Sequence, residues 1–124
     1  MKRILLIMLL LFSLTTFSQR KQSIRNYTEI GFIDSDGIKS KLYEANTRFF
    51  YYYYGENQIK VFINNEAKLF YFDDESKESS NNIKYTKFHC IEGTSCEEVY
   101  ICLFDDISKG SVILFSNGEL IYLR

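Results

Sequence analysis

His89 and Cys90 stand side by side in KFHCIEGTSCEEVY, residues 87–100. A thiol activated by an imidazole is a short route to nucleophilic catalysis, but it needs the two side chains within hydrogen-bond reach. On an extended strand, adjacent residues point to opposite faces, so this pair is expected to be held apart. Cys96 and Cys102 complete the cysteines, and His89 is the only histidine. A structural zinc site wants four ligands in short paired spacings, which these four residues do not offer. No metal and no cofactor is expected.

The carboxylates give no better catalytic set. Asp73-Asp74 and Asp105-Asp106 each follow an apolar run and precede a polar one, the pattern of solvated turns. Asp34-Ser35-Asp36-Gly37 opens like a calcium loop, but the twelfth position is Ala45 where a bidentate glutamate belongs. Glu97 and Glu98 are neighbours at the start of a strand and face opposite sides. No glycine-rich phosphate loop and no nucleophile elbow occurs. The chain is therefore not expected to be an enzyme.

The residues that could bind are aromatic. RFFYYYYGEN, residues 48–57, sets two phenylalanines and four tyrosines before a glycine turn, which makes both faces of a strand aromatic. Pairing it with QIKVFIN across a three-residue loop at Gly55–Asn57 places Tyr53, Tyr51 and Phe49 opposite Ile59, Val61 and Ile63 as a core face. A two-residue loop at Asn65-Glu66 adds Phe70 and Phe72 to it. The other face then carries Phe50, Phe62 and Leu69 in one row and Tyr52, Lys60 and Tyr71 in the next, with Tyr54 near the turn. Lys60 between two tyrosine rings suits a cation–π contact. Phe50, Tyr52, Tyr54, Lys60, Phe62 and Tyr71 are the candidate ligand-binding residues, on a surface fit for a protein, a glycan or an apolar ligand. Ordinary cross-strand packing is the competing account of the same residues. The absence of tryptophan, the best stacking surface, weighs against a glycan.

These residues need a sheet to hold them. After residue 20 no stretch keeps apolar residues at three-and-four spacing, whereas short runs of Ile, Val, Phe and Tyr alternate with turn residues. Strands are expected over residues 27–33, 38–44, 48–54, 58–64, 67–72, 83–91, 97–104, 111–116 and 119–123. The fold class is all-β, an antiparallel meander of about eight to nine short strands closed as a small barrel or folded as a sandwich. Residues 73–82, DDESKESSNN, are expected as a mobile loop. Asn117-Gly118 is the strongest hairpin signal. As a two-residue loop it puts Val112, Leu114, Ile121 and Leu123 on one face and Ile113, Phe115, Leu120 and Tyr122 on the other, so the hairpin is apolar on both sides. That suggests a second use, pairing with another chain in an oligomer.

The chain opens MKRILLIMLLLFSLTTFSQR, with a basic start, an apolar stretch over residues 4–12, and Thr16 and Ser18 at the small-residue sites of a cut. This resembles a cleaved bacterial signal peptide, residues 1–18, preceding a single all-β domain over residues 19–124. The expected location is periplasmic or secreted, with no membrane span after cleavage. Of the 15 basic residues, Lys2 and Arg3 leave with the leader, so 13 face 16 acidic ones and the net charge becomes −3. Nucleic acid is excluded as a partner on that sign. An outer-membrane barrel needs strands of about 9 to 11 residues, longer than most of these. In an exported chain disulfides are permitted. If Ile91–Ser95 forms a hairpin loop, Cys90 lies across from Cys96, and a bridge between them is expected, with Cys102 left as a small buried hydrophobe.

Overall fold

Apolar runs separated by Asn, Asp and Gly fold in chain order into eight strands, each antiparallel to the next. The computed structural model describes residues 21–124; the expected leader, residues 1–18, lies outside the described residues. The strands are β1 (Ser23–Ile33), β2 (Tyr43–Tyr51), β3 (Gln58–Ile63), β4 (Glu66–Ser80), β5 (Ile83–Glu92), β6 (Glu98–Phe104), β7 (Ser111–Phe115) and β8 (Leu120–Leu123). The last returns to the first, Ile30 opposite Leu123 and Ile33 opposite Leu120, and closes a barrel. Closure removes the two sheet edges that an open meander would leave unpaired. A bulge in β1 between Tyr27 and Glu29 finishes the seam. There the Thr28 and Glu29 N–H groups both donate to the Arg124 carbonyl, at 2.9 and 3.1 Å.

Alternation sends one row of each strand into the barrel. Phe49, Ile59, Phe70, Phe88, Cys90, Val99, Ile101 and Leu123 are fully buried there, and Phe72 meets Phe88 edge-on at 4.8 Å. A lumen filled with apolar side chains is the reverse of an outer-membrane barrel, whose interior is polar. Among the described residues no helix is long and apolar enough to cross a membrane.

Four expectations need correction. The strand expected over residues 38–44 forms only at Tyr43 and Glu44, where β2 begins. The Asp34 carboxylate accepts the N–H groups of Asp36 (3.0 Å) and Ile38 (2.9 Å), winding the chain into a turn, and only Lys39 bridges back to Ile33. Residues 73–82 are not a loop. β4 continues to Ser80 and turns at Asn81-Asn82, both at positive φ (51° and 64°), as a tight hairpin demands. Polar cross-strand pairs hold this end: Lys77 Nζ donates to Thr86 Oγ1 at 2.7 Å and the Tyr85 hydroxyl to Glu78 at 3.1 Å.

The hairpin at Asn117-Gly118 has a different register. Its loop takes three residues, Ser116–Gly118, so Ile113 faces Ile121 and Ser111 faces Leu123. A one-residue slip exchanges the faces. Ile113 and Leu123 are therefore inside with Ile121, while Val112, Leu114, Leu120 and Tyr122 lie half-buried on the outside. The β2–β3 and β3–β4 pairings are each displaced by two residues from expectation: Phe49 faces Val61, Tyr51 faces Ile59, and Ile59 faces Phe70. Two is the period of a strand, so every side chain of these ladders keeps its face.

Candidate functional site on the outer face of β1–β3

β2 stops at Tyr51 because Tyr52 takes a left-handed conformation (φ 54°), as do Tyr54 (φ 53°) and Gly55 (φ 74°). Bulky residues adopt that region at a cost of about 1–3 kcal/mol each. The kink breaks the alternation. Tyr52, expected outside, turns over the barrel mouth instead, its ring 6.0 Å from Phe72 and 6.1 Å from Phe88, its hydroxyl donating to Glu75. It is part of the core's lid and not of the outer surface.

The outer face keeps Phe50, Lys60 and Phe62. Phe50 and Phe62 meet edge to face at 5.6 Å. Lys60 Nζ lies 5.2 Å from the Tyr53 ring centre and 5.3 Å from that of Phe62, so the amine sits between those two rings and not between Tyr52 and Tyr71. Tyr53, expected inside, takes this outer place because it follows the kink, and it packs on Phe50 at 6.1 Å. Tyr54 is 74% exposed, its ring 4.4 Å from that of Tyr53. Tyr71 faces Gln58 and Ile91, outside the cluster, because the β3–β4 register places Leu69 beside Lys60.

Beside these rings runs a groove of about 860 Å³, lined by Ile24, Asn26, Arg48, Phe50, Phe62 and Asn64 among others. It lies within the usual range of ligand sites, about 300–1,000 Å³. Asn46 and Asn64 close one end by bonding each other: the Asn46 N–H donates to Asn64 Oδ1 at 3.2 Å and the Asn64 N–H to the Asn46 carbonyl at 2.7 Å. No acidic residue lines the groove. The sequence reading missed it, since SIRN ahead of Tyr27 has no apolar alternation and only the β1–β2 pairing brings Ile24 to Phe50 and Asn26 to Arg48.

A second polar cluster lies on the outside of β4–β6. Asp73 bulges from β4, and His89 is held between two carboxylates, Nδ1 2.6 Å from Asp73 Oδ1 and Nε2 2.6 Å from Glu98 Oε1. Asp73 is thus a strand residue with a partner and not part of a solvated turn. The hydrogen bonds to Glu98 and Asp73 raise the imidazole pKa above its ordinary value. The carboxylates grip opposite edges of one ring, an arrangement that fixes three strands together and leaves the ring no free nitrogen for proton transfer. Among the described residues no group of three His, Cys, Asp or Glu side chains could hold a metal ion.

The three cysteines are free thiols, which corrects the expected Cys90–Cys96 bridge. β5 runs on through Glu92, whose carboxylate caps the following turn by accepting Thr94 N–H at 2.9 Å and Ser95 Oγ–H at 2.7 Å. Cys90 therefore faces Val99, inside the barrel, while Cys96 sits exposed in the loop at φ 57°. Burial pushes the Cys90 thiol up to about 12. Cys102 is on the outside, half-buried between Lys87 and Val112. His89 and Cys90 point to opposite sides of the sheet. Comparison with protein-family models, curated proteins and solved structures finds no match to this chain.

Proposed function

We propose that the protein is a small exported binding domain that performs no chemistry and takes its ligand in the outer groove of β1–β3. The observation that carries this reading is the groove itself: two phenylalanine rings beside unpaired side-chain donors, on rigid paired strands and not on a loop. The leader-like start of the chain supports a periplasmic or secreted location. The ligand class at this level is a protein, a glycan or an apolar molecule. Chemical-shift mapping with a neutral oligosaccharide, an aromatic peptide and a fatty acid tests it. Shifts centred on Phe50, Lys60 and Phe62 are expected; a panel that leaves all three unmoved refutes the reading.

An assembly role is the second reading. It is favoured by an apolar recess on the outside of β5–β7, lined by Ile83, Tyr85, Cys102, Phe104, Val112 and Leu114 and continuous with the β7–β8 hairpin. Light scattering that finds a dimer, dispersed by Leu114→Lys, would establish it in place of the first.

A further inference from the structure

Two rows of side chains meet in the groove. Asn26, Arg48 and Phe62 are neighbours across the strands in one, and Ile24 and Phe50 in the next, with Lys60 beyond Phe50 and outside the groove's lining. The backbone beneath them is spent on the ladders either side of β2, so the face has no strand edge to offer an extended peptide. Whatever binds must be read by side chains alone. The rings supply apolar ground, and Asn26 and Asn65 supply amides that both donate and accept, a match for hydroxyl groups. Arg48 is exposed, and no ion pair or hydrogen bond among the described residues engages its guanidinium. It is the only charged group lining a groove that holds no acid, in a chain with 16 acidic and 15 basic residues.

We propose that the ligand is a carboxylated oligosaccharide, a polyuronate, with its ring C–H faces on Phe50 and Phe62, one carboxylate paired with Arg48, and its hydroxyls on the asparagines. This rests on the groove being the binding site. The guanidinium fork matches a carboxylate with two parallel hydrogen bonds, which a lysine could not supply. A nucleic acid also joins flat rings to negative charge, but its phosphate oxygens only accept and would leave the asparagine carbonyls unmatched, whereas sugar hydroxyls meet both halves of each amide.

The test is calorimetric titration of the protein with tetragalacturonate and with the same tetramer after its carboxyls are reduced to hydroxymethyl groups. The acidic tetramer should bind about tenfold or more tightly than the neutral one, as one charged hydrogen-bond pair warrants. Arg48→Gln should erase that difference, and Asn26→Asp, which removes an amide donor and sets a carboxylate across from Arg48, should weaken both tetramers and the acidic one more. Both substitutions are on exposed side chains, so an unchanged thermal melt certifies the fold. Equal binding of the two tetramers overturns the carboxylate assignment. Binding of neither, while the neutral oligosaccharide, peptide or fatty acid still shifts Phe50 and Phe62, overturns the polyuronate and leaves the groove as the site. Binding of a single-stranded oligonucleotide in preference to both tetramers overturns it likewise. If nothing in the panel shifts those rings, the groove reading falls with it.

Discussion

The ring of Tyr122 covers Gly31 across the β1–β8 seam so closely that a Cβ on Gly31 would stand 2.3 Å from the Tyr122 Cζ atom. Gly31 is thus bare because the seam's outer face is filled from the opposite strand. Gly31→Ala must push the ring off the sheet, and a loss of about 1–3 kcal/mol is expected, in line with other overpacked sites. The cause is checked by a double-mutant cycle. In a Tyr122→Ala background the same Gly31→Ala change should cost little, and an equal cost in both backgrounds would place the strain elsewhere.

Two tyrosines two positions apart should behave oppositely. Tyr52 and Tyr54 share a left-handed backbone, yet Tyr52 covers Phe72 and Phe88 and Tyr54 is 74% exposed. Tyr52→Ala is expected to cost about 2–4 kcal/mol in denaturant unfolding, and Tyr54→Ala to stay within about 0.5 kcal/mol of the parent. Equal costs would mean that Tyr52 does not seal the barrel mouth.

The His89 clamp makes stability fall with rising pH. Its pKa is raised in the folded state by Glu98 and Asp73, so the contribution is fully present below the unfolded value of about 6.5. It is lost as pH climbs through the higher folded value. The partners are more than half exposed, at 67% and 56%, so solvent limits the effect to about 1 kcal/mol or less. Melting temperatures compared between about pH 5.5 and 8.5 should drop in the parent more than in His89→Gln. As the chain's single histidine, His89 has no competing imidazole in that window.

Thiol labelling should resolve three rates. Cys96, exposed in its loop, should react first; Cys102 should follow; Cys90, buried and with its thiol pushed up to about 12, should react only on unfolding. Mass spectrometry after timed alkylation reads the order. A Cys90–Cys96 disulfide in the native protein would contradict the β5–β6 register.

Most of the chain's strands were legible from residue types because alternation is a local property: Gln58–Ile63 and Glu98–Phe104 can be read without knowing their neighbours. The β4–β5 hairpin end was not, because DDESKESS is polar on both faces and is held as strand only by what faces it across the ladder. The rings that flank Lys60 were only partly legible. Its outward face survives a two-residue register error, whereas the identity of its neighbours does not.

From its residues alone this chain was committed to antiparallel strands, to an aromatic side turned inward, and to Lys60 and Phe62 sharing the outward face, since a period of two decides which residues of one strand share a face; Phe50 joins them only through the length of the β2–β3 loop. Only the tertiary structure decided barrel over sandwich, the inward turn of Tyr52, the separation of Cys90 from Cys96 and the groove between β1 and β3. Each of those depends on a loop length or on a pairing between residues far apart in sequence, and a single residue more or less in a turn exchanges one face of a strand for the other.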